Sequence, residues 1–181
     1  MHKILLAIAF FVATGSTQAP HIDFPGFRVT FPDTGCEIQK KEKEVDVPVL
    51  GKTAATSWIM YRQEAATPFL YLVSFTRFPE MLANYLDMDP KSLNTLLRTC
   101  LEASASNFGG TDFTFKEFSH NGYEGLEATC KISNGGGDLK GRVFKSGSLI
   151  YVICGGGAPI DLAETDKFLA SFRLEDSKTV R

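Results

Sequence analysis

The sequence predicts an α+β fold, an α/β/α sandwich with a mostly antiparallel central sheet and two to three helices. Three observations carry that expectation. The runs Phe69 to Phe78 and Ser148 to Cys154 are apolar on both faces of a strand, which calls for layers on both sides of the sheet that holds them. Asn121-Gly122 separates two alternating segments, the strongest two-residue hairpin pattern in the chain. Behind Asp89 and behind Asp161 the apolar spacing becomes helical, as expected of the elements that supply such layers.

Taken in order, the chain of 181 residues begins outside that fold. Lys3 gives a short basic start, Ile4 to Ala13 is apolar, and small and polar residues follow to Thr17-Gln18-Ala19. This is the layout of a secretory signal peptide over residues 1–19. Cleavage is expected between Gly15 and Ala19: Ala13 and Thr17 both offer the small residue such a site needs, whereas Pro20 directly after Ala19 suits a peptidase poorly. The apolar run is about half of what a membrane-spanning helix requires, so no membrane insertion is expected, and no Cys lies nearby for lipid attachment. Residues 20–181 are then a secreted or periplasmic chain, read as one domain and large enough to bury roughly 70% of its unfolded surface.

Phe27 to Pro32 alternates and stops at Pro32-Asp33-Thr34-Gly35, a first strand ended by a turn. Ile38 to Val47 is charged, with Lys41, Lys43, Val45 and Val47 on one side and Glu42, Glu44 and Asp46 on the other; this predicts an edge strand whose charges keep other molecules from pairing with it. Thr56 to Gln63 and Phe69 to Phe78 make a hairpin around Ala65-Ala66-Thr67-Pro68. Phe69, Tyr71, Val73 and Phe75 fill one face of its second strand, and Leu70, Leu72 and Phe78 the other.

Met81, Leu82, Tyr85 and Leu86 suit a short helix after Pro79. Asp89 caps the next, with Pro90 in its first position, and Leu93, Leu96, Leu97, Cys100, Leu101, Ser104 and Phe108 keep helical spacing until Gly109-Gly110. Asp112 to Phe118 and Tyr123 to Ser133 flank Asn121-Gly122, with Leu126, Ala128, Cys130 and Ile132 on one face. A loop through Asn134 to Asp138 leads to a strand near Lys140 to Lys145, and Ser146-Gly147 turns into the strand at Ser148. The last helix covers Asp161 to Phe172, where Asp161 and Glu164 form a capping-box pattern and Leu162, Phe168, Leu169 and Phe172 the apolar stripe.

This arrangement resembles the PsbP-like family, also called the Mog-type α/β/α sandwich, and its small secreted bacterial members in particular. The resemblance is carried by Phe27-Arg28-Val29-Thr30-Phe31-Pro32, by Asn121-Gly122-Tyr123-Glu124-Gly125-Leu126-Glu127, by the hairpin from Gly141 to Ile153, and by Phe168-Leu169-Ala170-Ser171-Phe172-Arg173-Leu174. It spans nearly the whole mature chain and implies the fold, not an activity. Relatives include a photosystem-associated protein and a binder of a nuclear-transport GTPase, and no motif that would transfer either role is present.

Charge and motifs narrow the function. Loss of Lys3 leaves 18 of the 19 basic side chains against 21 acidic ones, a net charge of about −3, too mild to point to nucleic acid. Neither His21 nor His120 has another His or a Cys three or four residues away, no H-E-x-x-H is present, and His120 reads as a polar turn residue. There is no G-x-S-x-G, and hairpin chemistry accounts for Ser148. Gly135 to Gly137 and Gly155 to Gly157 look superficially like phosphate cradles, but no Lys-Ser or Lys-Thr follows, and they read as flexible loops. Asp87-Met88-Asp89 is far shorter than a calcium loop. Trp58, Tyr61 and the phenylalanines read as core before they read as a ligand groove. No catalytic, cofactor-binding or metal-binding residue is assigned.

Cys36, Cys100, Cys130 and Cys154 remain after export, an even number in an oxidising compartment, which predicts two disulfides. Three connectivities are open; Cys100–Cys130 with Cys36–Cys154 is preferred, because Cys100 lies on the apolar stripe of its helix and Cys130 on the strand face of Leu126 and Ala128. The functional expectation is an extracytoplasmic, non-enzymatic binding or interaction module for a protein or a small molecule, with its contact surface around Met81 to Asp87 and the two glycine-rich loops. The alternative is a hydrolase-like enzyme with a site of dispersed carboxylates. An aromatic groove floored by polar groups favours the first, and two buried carboxylates with raised pKa values facing a cleft favour the second.

Overall fold

The α+β class holds. The computed structural model describes residues 21–24, 26–32, 34–47, 51–62, 69–120, 122–133, 136–157 and 162–174; the expected signal peptide, the 65–68 turn, Asn121 and the Asp161 cap lie outside them. In chain order these residues form β1 (His21–Phe24), β2 (Phe27–Thr30), β3 (Gln39–Val47), β4 (Gly51–Arg62) and β5 (Phe69–Arg77). There follow α1 (Glu80–Met88), α2 (Pro90–Ser106), β6 (Gly110–His120), β7 (Tyr123–Ile132), β8 (Asp138–Ser146), β9 (Leu149–Gly157), α3 (Leu162–Ser171) and β10 (Arg173–Leu174). Strands β3 to β9 make a seven-stranded sheet in the order β3-β4-β5-β9-β8-β7-β6, antiparallel throughout. The charged strand β3 is an edge, as its alternation predicts. The opening strand β2 instead joins β1 and β10 in a separate three-stranded sheet, which the short flanking runs did not signal.

The large sheet is two meanders joined at β5 and β9, and α1 with α2 carries the chain from β5 in its middle to β6 at its far edge. Pro90 and the Asp89 cap start α2: one Asp89 carboxylate oxygen accepts from the Lys91 and Ser92 amides at 3.2 and 3.3 Å, and the other from the Ser92 hydroxyl at 2.6 Å, satisfying amides that no helical carbonyl reaches. Gly109, at φ 81°, ends the segment. Leu97 and Leu101 of α2 pack on Leu126, Ala128, Val143, Ile150 and Val152, and Ala105 packs with Cys130, Leu139 and Cys154. Lys145, only 7% exposed in its side chain, donates to Asp87 at 2.7 Å and ties β8 to α1.

The opposite face is aromatic. Phe27 lies edge-on to Trp58 and stacks on Phe172, each at 5.4 Å between centroids, and Phe168 of α3 meets Tyr71 edge-on at 5.0 Å. Such pairs add specific geometry to the burial of large apolar surfaces. Trp58 is therefore core, buried among Phe24, Phe27 and Phe75.

One expectation is overturned here. Gly155 to Gly157 are not a flexible loop but the buried end of β9, paired with β5 and β8. They are glycines because of crowding: a Cβ on Gly155 would lie 2.6 Å from the Tyr71 ring, and one on Gly156 would lie 2.2 Å from the Asp138 carbonyl oxygen.

Candidate functional site

The crossover covers only part of the face it crosses. α2 lies over β6, β7, β8 and β9, so its flank becomes a wall beside the β3–β5 half, and between them opens a groove of about 510 Å³. Alternate residues of a strand share a face, and register builds the floor: Lys41, Ser57, Ser74 and Val152 stand in one cross-strand row, and Lys43, Ala55, Thr76 and Ile150 in the next. Ile59 and Leu72 close one end. The floor is concave because its central side chains are small. Thr99, Cys100, Ala103 and Ser104, at helical spacing on α2, and Asn107 at its C-terminal cap make the wall, with apolar surface and hydroxyl, thiol and amide groups interspersed.

Charge is distributed unequally about this groove. On the opposite face of β3 and β4, Lys40 pairs with Glu42 at 2.7 Å and Lys52 with Glu44 at 3.0 Å. On the groove face, among the described residues, neither Lys41 nor Lys43 pairs with a carboxylate; Lys41 holds its ammonium 5.7 Å from the centre of the half-exposed Tyr61 ring, within cation–π range. Glu42 also borders the groove, but Lys40 engages it and, by hydrogen bond and charge, holds its carboxyl below the ordinary range.

A second polar region lies on the other face, over β6, β7 and β8. Glu127, 3% exposed, accepts from Arg142 at 2.8 Å, with Lys116 at 2.8 Å and Lys140 at 3.4 Å. Lys140 also reaches Asp166 of α3 at 2.6 Å, and the Arg142 guanidinium stacks 4.3 Å from the Phe118 ring centre. Burial pushes the Glu127 carboxyl up, but the hydrogen bonds from Lys116 and Arg142 and the charges of Arg142 and Lys140 outweigh it and hold it below its ordinary value. A carboxylate held ionised in this way is not a proton donor at neutral pH. Among the carboxylates whose burial is described, it is the one that is buried.

The cysteines correct another expectation. All four are among the described residues, and none is in a disulfide. Cys36 packs against the aromatic cluster, whereas Cys154 lies beneath α2, so the sheet itself separates the preferred pair Cys36–Cys154. Cys130 sits by Ala105 and Gly110, where a Gly110 Cβ would lie 3.0 Å from its sulfur; Cys100, more than one helical turn earlier, faces the groove instead. Burial pushes the Cys100 thiol up to about 11 and the Cys130 thiol to about 11, and raises that of Cys154 as well. They are protonated near neutrality and poor nucleophiles.

Among the described residues, no cluster of His, Cys, Asp and Glu fits a metal ion, and no helix is long and apolar enough to cross a membrane. Of the expected contact surface, α1 turns Met81, Tyr85 and Met88 outward at helical spacing, while Asp87 is engaged by Lys145. Gly155 to Gly157 are buried, so that half of the expected loop surface is not a surface. The sequence pattern places Lys41 and Lys43 on an edge strand and Cys100, Ser104 and Phe108 on a helix stripe, but does not bring them together in a groove. The groove's signal was the gap after Leu70 and Leu72, where Ser74 and Thr76 interrupt an otherwise apolar face opposite small Ala55 and Ser57. Compared with protein-family models and with curated proteins, the chain matches no family model and none of the curated proteins.

Proposed function

We propose that this chain is an extracytoplasmic, non-enzymatic binding module of the PsbP-like α/β/α sandwich type, and that the groove between α2 and β3–β5 is its ligand seat. The observation that carries this is the groove itself, about 510 Å³ over a floor of Ala55, Ser57, Ser74 and Thr76, within the size range of small-molecule sites and with their mixture of apolar lining and a few polar groups. The signal-peptide pattern of residues 1–19 supports the location. Cover by α1 and α2 on one face, and by α3 with the small sheet on the other, supports the sandwich.

An apolar occupant gains about 0.8 kcal/mol for each methylene it buries, close to fourfold in affinity. Calorimetric titration with straight-chain alcohols from octanol to dodecanol tests the reading, beside the variant Ala103→Trp. Ala103 is an exposed residue of the helical wall, so the indole narrows the groove without entering the core. Affinity is expected to rise with chain length and to fall at least tenfold in A103W at an unchanged thermal midpoint. Wild-type protein that binds no alcohol, or A103W that binds as well as wild type, overturns the proposal.

A further inference from the structure

We infer that the groove selects a single-chain amphiphile with an anionic end group, a long-chain carboxylate, whose head lies at Lys41 and Lys43 and whose tail lies over Ser57 and Ser74. This deepens, and rests on, the proposed binding role. Both lysines project from the edge strand onto the groove face, directly across the ladder from Ser57 and Ala55. Thus the cations stand at one rim, while the helical wall opposite offers only neutral groups such as Thr99, Ser104 and Asn107.

The charge expected of the head group follows from what is already matched. Glu42 and Glu44 pair with Lys40 and Lys52 on the other face of the sheet, and among the described residues no carboxylate pairs with Lys41 or Lys43. Protection of the edge against other strands is served by charge on either face; it does not require two like charges two residues apart facing one groove, where they repel each other until an anion arrives. A carboxylate at that rim gains charge-assisted hydrogen bonds, and the apolar tail gains burial in the same movement.

The test compares dodecanoate with dodecanol, matched in chain and differing in the head, on wild-type protein and on the double variant Lys41→Gln, Lys43→Gln. Calorimetry is run at 20 mM and at 500 mM sodium chloride, below the micellar range of dodecanoate and the solubility limit of dodecanol. Dodecanoate is expected to bind wild type at least tenfold more tightly than dodecanol at low salt. That advantage should shrink at high salt and vanish in the double variant, which should bind the two probes alike. Equal affinity of the two probes for wild type, or a carboxylate preference that survives the double substitution, overturns the head-group inference and leaves the binding role standing. If neither probe binds wild type, the binding role fails with it.

Discussion

On one face of the seven-stranded sheet the β3–β5 half is left without a helix above it and carries Ala55, Ser57, Ser74 and Thr76; on the opposite face the β6–β8 half carries Lys116, Glu127, Lys140 and Arg142. The first lies beside α2, not beneath it, whereas the second lies at the edge of α3, whose Asp166 reaches Lys140 at 2.6 Å. The second is closed by its own side chains: a nearly buried carboxylate is surrounded by three cations, and an arginine stacks on Phe118. The first is not closed, because its floor residues are short and, among the described residues, neither of its two cations pairs with a carboxylate, the neighbouring Glu42 being engaged by Lys40. Uncovered sheet is therefore not in itself a binding site. The difference lies in whether the local side chains satisfy each other, and only the small, unbalanced half leaves anything for a ligand to do.

Four outcomes would sharpen or break that comparison. The largest concerns Glu127→Ala, which removes the anion from three cations and is expected to destabilise the protein by about 3 kcal/mol, read by urea unfolding at pH 7. Because the Glu127 carboxyl is depressed in the folded state from an ordinary 4.5, its contribution is present above that value and is lost as the pH falls through the lower folded value. The gap between wild type and E127A should accordingly narrow in acid. A loss below about 1 kcal/mol at pH 7 would mean that the charged half is not self-satisfied.

The groove wall should suppress thiol ionisation. With the Cys100 thiol near 11 against an ordinary 9.0, native protein at pH 8 should hold about 100-fold less thiolate there than unfolded chain. Alkylation by iodoacetamide, followed by peptide mapping, should be slower by a comparable factor in the native state. Equal rates would mean that the wall is wet and polar.

Covered and uncovered parts of the same face should respond oppositely to added volume. Under α2, a Cβ on Gly141 would lie 2.8 Å from Leu101 Cδ1, 3.0 Å from Cys154 Cβ and 3.2 Å from the Ile153 carbonyl oxygen. Gly141→Ala is expected to cost about 1–2 kcal/mol. Over the groove, Ser57→Leu has open space to enter and should change stability by less than about 0.5 kcal/mol, while weakening dodecanol binding. Urea midpoints of the two variants decide the matter, and a large loss in S57L would show that the groove is packed space. Smallest of all, the Lys41→Gln, Lys43→Gln pair should shift the urea midpoint little, since among the described residues neither lysine pairs with a carboxylate and only the exposed Lys41–Tyr61 cation–π contact is lost.

Much was legible in the sequence because it was local. The Asp89-Pro90 start of α2, the strand period on either side of Gly122, the two-sided apolar pattern of β5 and β9 and the charged edge at β3 each arise from neighbouring residues and reappear in the structure. The glycine run at 155–157 misled because a glycine needed for freedom and one needed for close approach are written alike; only Tyr71 and the backbone of β8 reveal which it is. The cysteines misled for a related reason. Period and parity place a side chain on a face of its own element, but whether two faces meet depends on strand order and helix placement, and here the sheet stands between Cys36 and Cys154. The groove belongs to the same class. That Ser57 and Ser74 are small was written in the chain, but that a groove remains above them was decided by the crossover, which carries α2 away from β5 toward β6, so that a helix long enough to cover one half of the sheet has no length left for the other.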